Sequence, residues 1–508
     1  MVGRARLSLL ASNTSEAHMK RRTFLTIGAS LAAAAPAMAV PVPMPQKWDE
    51  TYDVVIVGAG GAGLAAATQA VQSKLSAVVL EKEAVYGGSS AICGGQWAVG
   101  GSDLQKERGI QDSEELFFND MMTTGKNQND PDVVRAYVKE SKALYDWITK
   151  ERGVKPVSVT LSGGMSVPRA HTFKPAEVLL SYKTYAEDHG VKIMTRTKAE
   201  RLIWDDQAKC IAGVRVSRRG KDMFIRARKG VILAAGGFSR NPKMLKKYAP
   251  LLENAAVIAG LGTQGDGILM AQAYGADMMD TNYIKASYGF TLKPSTIKDM
   301  ALTQFKGAIL INKTGRRFID ESVSYKVQAD VAFAQPEGKS WMVFDDKIRR
   351  KAMEMDPLQD GILWKPIDEG KCPPYVFMGD TIEEAAQKAG LDPKAVAETV
   401  ARYNKAVETG EDKEFGRKGL ASGKGALVKI DKAPFFVFPS VGAMIGTYCG
   451  IKITPKAEVV DVFGETIPNL YAAGEMTGGV HGASYMTGTA FSKAMAFGRI
   501  AVRSIAEK

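Results

Sequence analysis

Three glycines near the beginning of the chain have the spacing of a phosphate-binding turn. Gly58, Gly60 and Gly63 follow one short apolar run, and Glu81 directly follows a second. This order predicts a strand, a tight turn, a helix and a second strand, with Gly60 admitting a pyrophosphate and Gly63 letting the helix pack closely. The helix N-terminus would bind the phosphates, and Glu81 would accept from a ribose hydroxyl. The sequence therefore indicates a dinucleotide-binding redox enzyme, with a glycine turn that binds nothing as the alternative.

This turn is the first of a series of ordered motifs. They are Gly58-x-Gly60-x-x-Gly63, Glu81-Lys82-Glu83, Gly87-Gly88-Ser89-Ser90, Arg169-Ala170-His171, residues 234–238, residues 262–267, residues 307–312, Arg317-Phe318-x-x-Glu321 and residues 472–482. Together they resemble the family of FAD-dependent fumarate reductases, succinate dehydrogenase flavoproteins and 3-ketosteroid dehydrogenases, over nearly all of residues 50–505. The resemblance implies FAD and chemistry on a C–C bond next to an activating group.

The resemblance also implies how FAD is held. Where members with covalent flavin carry a linking histidine, this chain has the serine pair, so non-covalent FAD is expected. The residues expected to bind the cofactor are Gly58, Gly60, Gly61, Ala62, Gly63, Glu81, Lys82, Gly88, Ser89, Ser90, Gly94, Gly95, Ala235, Gly236, Asp266, Gly474 and Glu475.

The catalytic positions differ from those of the fumarate-reducing members. Tyr325 stands where those enzymes have the proton-donating arginine, and Tyr485 stands where they have the arginine that clamps the substrate. The residues that would feed protons to the donor fall at Ala301 and Gln304, and a fumarate-binding histidine falls at Ser287. The machinery for a dicarboxylate is therefore missing.

Tyrosines occupy both of these positions in 3-ketosteroid dehydrogenases. By this resemblance, Tyr485 and the N–H of Gly488 would polarise a carbonyl oxygen. The spacing between Tyr485 and Gly488 is one residue shorter than in the family. The flavin N5 would deliver hydride to the β-carbon, and Tyr325 would exchange the proton at the α-carbon. A phenol donates well to an oxygen that gains negative charge, although a pKa of about 10 makes it a weak acid at neutral pH. A C=C or CH–CH bond conjugated to a carbonyl is thus the expected target.

Two other functions remain compatible with the sequence. Lys285 could pair with the carboxylate of an unsaturated acid, which would make the enzyme fumarate-reductase-like, although a carboxylate is poorly held without a bidentate arginine. A flavin-loaded binding protein without turnover is the other alternative. Cys93, which precedes two glycines, is a candidate neighbour of the flavin.

These residues must be positioned by a domain that both ends of the chain build. Two apolar strands that end in glycines, at residues 230–237 and 469–475, lie far apart in the sequence. The predicted fold class is therefore α/β, with a Rossmann-like FAD-binding domain formed by residues 50–282 and 447–508. An inserted α+β capping domain, residues 283–446, would cover the ligand.

Residues 1–39 have the pattern of a twin-arginine export signal. Arg21 and Arg22 precede an apolar segment at residues 27–37 and a small-residue cleavage site that ends at Ala39. Met19 is a second candidate start, which would leave residues 1–18 untranslated, and residues 40–49 form a linker. The apolar segment is shorter than the ~20 residues that span a bilayer. We expect an exported, periplasmic protein that does not span the membrane, which favours reduction over oxidation.

Composition limits the partners. The net charge is +12, but the basic residues are dispersed, which argues against nucleic-acid binding. The four cysteines form no CxxC or CxxCH pattern, so no metal, haem or iron–sulfur site is expected. Electrons must then come from a separate periplasmic carrier, such as a cytochrome or an FMN-bearing protein.

Overall fold

The computed structural model describes residues 42–508, so the predicted export signal lies outside the described residues. The strands are β1 (Glu50–Val57), β2 (Ala77–Leu80), β3 (Gln96–Ala98), β4 (Ser158–Thr160), β5 (Ala170–Thr172), β6 (Lys192–Met194), β7 (Thr197–Asp205), β8 (Cys210–Arg218), β9 (Lys221–Leu233), β10 (Ala256–Val257), β11 (Met278–Met279), β12 (Ser287–Phe290), β13 (Ile309–Asn312), β14 (Ser340–Asp345), β15 (Phe377–Gly379), β16 (Phe435–Pro439), β17 (Val441–Met444), β18 (Gly450–Ile451), β19 (Glu458–Val460) and β20 (Thr466–Ala472).

The helices lie between these strands and after the last of them. They are α1 (Gly61–Gln72), α2 (Gly88–Ala91), α3 (Asp103–Glu107), α4 (Glu114–Thr124), α5 (Pro131–Asp146), α6 (Pro175–Asp188), α7 (Pro242–Tyr248), α8 (Asp266–Gln272), α9 (Tyr325–Phe333), α10 (Asp346–Met355), α11 (Asp360–Asp368), α12 (Ile382–Lys388), α13 (Pro393–Thr409) and α14 (Thr489–Ala506). A π-helix covers Trp147–Glu151, and 3₁₀ helices cover Pro250–Leu252, Thr281–Tyr283, Ile297–Asp299, Thr303–Lys306, Pro336–Gly338, Ala421–Gly423 and Gly474–Met476.

Both ends of the chain contribute to the largest sheet. Its strand order is β19-β20-β9-β1-β2-β6, and β1 pairs in parallel with β2 and with β9. Near the other end of the chain, β20 pairs in parallel with β9, Leu470 lying opposite Val231. Of the strand predicted at residues 230–237, residues 230–233 form the last part of β9, and residues 234–237 follow the strand. The first part of β9 forms an antiparallel meander with β7 and β8. The predicted α/β class and the two-ended sheet are confirmed.

Helix α1 lies in close contact with a strand on one side and with α14 on the other. A Cβ at Gly63 would lie 1.8 Å from the carbonyl oxygen of Gly58, and a Cβ at Gly498 would lie 2.2 Å from that of Ala62. Neither distance is possible for a real side chain, so glycine at these positions allows the backbones to approach. This approach brings the start of α14 next to the glycine turn.

A separate antiparallel sheet lies in the inserted part of the chain. Its strand order is β13-β14-β16-β15, and all of its strands fall between β9 and β20 in the sequence. The inserted α+β domain is thus present, while the exact boundaries at residues 283 and 446 stay predictions. Among residues 42–508, no helix is both long and apolar enough to cross a membrane.

A buried ion network fixes the segment that leads from β13 to α9. Arg317 donates to Glu321 at 2.7 Å and to Asp412 at 3.0 Å, and Arg417 donates to Glu321 at 3.1 Å. These side chains are 0–1% exposed, so each charge depends on its partners. The Arg-Phe-x-x-Glu motif therefore positions the first residue of α9, Tyr325.

The contact between α1 and α14 can be tested by adding one methyl group. We expect Gly498→Ala to lower the free energy of unfolding by about 1–3 kcal/mol, because the new Cβ would overlap the Ala62 carbonyl. Urea unfolding of the purified protein measures the change. Gly361→Ala in α11 is the matched control, since the new Cβ would meet other atoms only at 3.5 Å. This substitution should raise the free energy of unfolding by about 0.5–1 kcal/mol, because alanine favours a helix over glycine. Equal effects of the two substitutions would contradict this account.

Candidate active site

A cavity of about 960 Å³ lies where the glycine turn, the start of α14 and the inserted part of the chain meet. Of the residues predicted to bind FAD, those that line it are Gly58, Gly60, Gly61, Ala62, Glu81, Lys82, Gly88, Ser89, Ser90, Gly94, Gly95, Ala235, Gly236, Asp266, Gly474 and Glu475. Gly63 is not on the lining, because it packs α1 against β1. The residues chosen from widely separated motifs therefore lie in one place.

The glycine turn leaves room for a phosphate group. A Cβ at Gly60 would meet only the carbonyl oxygen of Gly87, at 3.8 Å, so the space beside this residue is open. No side chain caps α1 at Gly60, and the Gly61 N–H donates to the hydroxyl of Ser90. An uncapped helix N-terminus that faces a cavity is an anion site, and these residues fit the pyrophosphate of FAD.

The carboxylate of Glu81 helps to shape this turn. One of its oxygens accepts from the Ala59 N–H and the other from the Glu83 N–H, both at 2.9 Å. Lys82 forms an ion pair with Asp266 beside the same end of the cavity. Glu81 thus remains in reach of a ribose, with its orientation fixed by the backbone.

The two tyrosines predicted to be catalytic both line this cavity. Tyr325 is the first residue of α9, and Tyr485 lies in the loop that leads into α14. Burial raises the pKa of Tyr485 to about 12. Burial, together with the neighbouring Tyr485, raises the pKa of Tyr325 well above its ordinary value. Both phenols therefore keep their protons at any ordinary pH.

The Gly488 N–H, which is predicted to bind a carbonyl oxygen, has a partner within the protein. It donates to the hydroxyl oxygen of Tyr485 at 3.1 Å, and Gly488 is not part of the cavity lining. The phenol of Tyr485 therefore accepts from the start of α14, which leaves its own hydrogen free to donate into the cavity.

The structure adds two residues that the sequence did not point to. Tyr448 lines the cavity, and its ring centroid lies 4.7 Å from that of Tyr485. Lys326 is buried behind these rings, 4.4 Å from the centroid of Tyr448. Tyr448 lies in a loop flanked by Gly446 and Gly450, and Lys326 directly follows Tyr325. The flanking glycines and the neighbouring Tyr325 are the sequence signals that could have pointed to Tyr448 and Lys326. We call Tyr325, Tyr448 and Tyr485 the tyrosine cluster.

Other candidate residues lie in or near the site in different ways. Cys93 lines the cavity, and burial raises the pKa of its thiol to about 12, so it is a neutral thiol. Lys285 is not on the lining and pairs with Asp330. Gln304, at the position of a relay residue in fumarate reductases, donates to Gln328 at 3.0 Å. An amide pair carries no titratable proton, so no acid–base relay runs through it.

The wall opposite the glycine turn is mostly apolar. Its residues include Ile297, Met300, Leu302, Phe305, Met355 and Leu358. The basic side chains among the described residues of the lining all have partners. Lys82 pairs with Asp266, Lys198 with Glu200 and Lys306 with Asp360, while Arg240 donates to the Ala259 carbonyl. The substrate part of the cavity therefore suits an uncharged, largely apolar molecule.

Comparison with known sequences decides the family. A profile described as the FAD binding domain matches residues 53–490. The chain belongs to this family. The cytochrome-type fumarate reductase of Shewanella frigidimarina is 35% identical over 462 residues, covering 89% of this chain and 76% of that protein. The vinyl phenol reductase of Lactiplantibacillus plantarum is 30% identical over 488 residues, covering 90% of this chain and 97% of that protein.

A solved structure agrees with this membership of the FAD-binding family. The 3-ketosteroid-Δ4-(5α)-dehydrogenase from Rhodococcus jostii RHA1, in complex with 4-androstene-3,17-dione, matches with a TM-score of 0.72 and 26% identity, covering 92% of this chain and all of that one. The predicted family, the FAD cofactor and the class of FAD-dependent oxidoreductases that act on a CH–CH bond are confirmed.

The open space at Gly60 gives a direct test of the cofactor site. The backbone there is extended, with φ −77° and ψ −172°, which valine adopts readily. We expect Gly60→Val to lower FAD affinity at least about tenfold, because its methyl groups would occupy the space of the pyrophosphate. Binding is measured by titrating the apoprotein with FAD.

Gly60→Ala should give a smaller loss of affinity, and thermal unfolding without FAD should be unchanged in both variants. Full FAD affinity in Gly60→Val would show that the pyrophosphate lies elsewhere.

Proposed function

We propose that the protein is an exported reductase of a C=C bond conjugated to a carbonyl, with an uncharged substrate. The observation that carries the proposal is the tyrosine cluster, which meets the apolar wall in the cavity that the FAD-binding residues line. The names of two relatives, vinyl phenol reductase and a ketosteroid dehydrogenase, are consistent with uncharged, ring-containing substrates.

Tyr485 would bind the carbonyl oxygen of the substrate. Its hydroxyl oxygen accepts from the Gly488 N–H, so its own hydrogen is available to another acceptor. As the carbonyl oxygen gains negative charge, this hydrogen bond becomes stronger. The start of α14 thereby supports the oxyanion through the phenol.

Tyr325 would supply the proton to the α-carbon. It lines the same cavity as Tyr485 and Thr487. Because its pKa is raised, it is protonated and can act as a donor at neutral pH. FAD, when bound and reduced, supplies the hydride that a C=C reduction requires. The lining shows no histidine among its described residues, which supports non-covalent FAD.

An unsaturated carboxylic acid is the second candidate substrate, because a fumarate reductase is among the relatives. The pairing of Lys285 with Asp330 and of the basic lining residues with their partners speaks against it. A carboxylate would have to break such a pair to gain a cation.

Export and an external electron carrier complete the proposal. The arginine pair and the apolar segment of residues 1–39 support twin-arginine export. The relative from Shewanella carries a cytochrome in its name, which supports a cytochrome or FMN-bearing partner in the periplasm.

Two single substitutions test the roles of the tyrosines. We expect Tyr485→Phe and Tyr325→Phe to lower kcat/KM for an enone by about 10²- to 10⁴-fold, since each removes one acid or hydrogen-bond donor. The reduced, FAD-loaded protein is mixed anaerobically with enones, including steroid-like and phenolic ones, or with enoates such as fumarate and urocanate. Reoxidation of the flavin is followed by its visible absorbance.

Tyr403→Phe is the matched control. Its hydroxyl donates a partly buried hydrogen bond to the carbonyl oxygen of Val428 in the inserted domain, but Tyr403 is not part of the cavity lining. This variant should reduce enones like the wild type. Reoxidation by enoates alone would contradict the proposed substrate class, and reoxidation by neither panel would favour a binding protein without turnover.

A further inference from the structure

Lys326 is a buried amine for which the proposed reaction has no role so far. It is 1% exposed and follows Tyr325 at the start of α9. Its Nζ lies 4.4 Å from the ring centroid of Tyr448, 5.6 Å from that of Tyr485 and 5.7 Å from that of Tyr325. A cation within about 6 Å of an aromatic ring is attracted to its face. The Nζ of one lysine therefore lies within this distance of all three rings of the tyrosine cluster.

Hydrogen bonds hold this amine in place. Its Nζ donates to the Ser287 hydroxyl at 2.8 Å and to the carbonyl oxygen of Lys285 at 3.3 Å. Ser287 begins β12, at the position where the sequence places a lost substrate-binding histidine. The lysine thus places a cation beside the position of that histidine, on the side of the rings away from the cavity lining.

Several charged or titratable groups face Lys326 from the surrounding elements. They are Asp330 on the same helix, Lys285 before β12, Glu475 in the 3₁₀ helix, the tyrosine cluster, and His481 in the loop before α14. Burial lowers the pKa of His481 well below its ordinary value, so this ring is neutral. The two carboxylates favour the charged amine, and the Lys285 ammonium disfavours it.

We propose that Lys326 is a positioning residue whose ammonium group holds the tyrosine cluster and stabilises the phenolate formed when Tyr325 releases its proton. This rests on the proposed function. In that step the O–H bond of Tyr325 breaks, an α-carbon C–H bond forms, and the electron pair remains on the phenol oxygen. The hydride from the cofactor provides the second hydrogen, and a proton from water restores the phenol.

The reason for this arrangement is the cost of a buried anion. Burial raises the pKa of every phenol in the tyrosine cluster, which means that the enclosed cavity disfavours phenolate. A positive charge behind the rings offsets that cost without entering the space of the substrate. The cluster can then release a proton although it is buried.

The charge of Lys326 should depend on pH in the neutral range. Burial, opposed by Asp330 and Glu475, lowers its pKa to about 7. The ammonium form is therefore present below about pH 7 and is lost as the pH rises through that value. We expect kcat to be highest below about pH 7 and to fall above it.

Lys326→Met tests the proposal, because it keeps the length of the side chain and removes the charge. We expect kcat for an enone to fall about 10- to 100-fold, with a smaller change in KM, as one charge beside the forming phenolate is lost. The inflection near pH 7 should disappear from the pH profile, and Lys326→Arg should recover part of kcat without that inflection. Lys313→Met, at an exposed ion pair with Glu337, is the control and should behave like the wild type.

The pH dependence of stability gives a readout without turnover. A lysine in the unfolded chain titrates near 10.5, so between about pH 7 and 10 the unfolded wild type binds more protons than the folded protein. Its unfolding constant should therefore fall relative to that of Lys326→Met as the pH rises, by up to about tenfold per pH unit. Equal pH dependence of the two proteins would overturn the proposal, as would an unchanged kcat profile.

Ser287→Ala covers the case in which Lys326→Met does not fold. The Ser287 hydroxyl accepts a hydrogen bond from the Lys326 ammonium, so its loss destabilises the charged form. The inflection in the pH profile of kcat should therefore move to lower pH, and an unmoved inflection would overturn the proposal. If the proposed function itself is wrong, the wild type will reduce no enone. That result is distinct from every outcome above, in which the wild type is active.

Discussion

The close approach of three backbone segments is the constraint on which the site depends. Helix α1 can lie against both β1 and α14 only because Gly63 and Gly498 have no side chain. A methyl group at either position would push the segments apart, and the uncapped N-terminus of α1 would move away from the cavity. The same contact holds α14, whose N-cap residue Gly488 donates its N–H to the hydroxyl of Tyr485. The glycine turn and the hydroxyl of Tyr485 thus depend on one packing arrangement.

The inserted domain contributes the other half of the site through a different kind of interaction. Arg317, Glu321 and Arg417 form charged hydrogen bonds that are removed from water. Such a network has few alternative arrangements, because each buried charge needs its partners. It fixes the start of α9, and therefore places the Tyr325 phenol in the cavity and the Lys326 amine behind the tyrosine cluster. The Arg-Phe-x-x-Glu motif thus holds a tyrosine in the cavity, at the position where the family resemblance implies an arginine in fumarate reductases.

The sequence predicted the cofactor half of the site much better than the substrate half. Glycines such as Gly58 and Gly60 are required by backbone geometry, so their spacing alone indicates the turn. Tyr325 and Tyr485 could be found because they occupy positions that the family motifs define. Tyr448 was harder to find, since the flanking glycines mark only a loop, and its side chain reaches the cavity through a left-handed backbone, φ 54°, which bulky residues rarely adopt. The bond from Gly488 to the Tyr485 oxygen depends on the path of a loop, which the sequence also leaves open.

The pairing of β20 with β9 has a consequence for the order in which the molecule is made. The glycine turn leaves the ribosome early, but β20 and α14, which complete its sheet and the cavity wall, are synthesised hundreds of residues later. Since chains emerge at about 5–20 residues per second, the nascent protein spends many seconds with a central strand edge uncovered. Cofactor capture is therefore a late event, and chaperones have a long interval in which to act on the unfinished sheet.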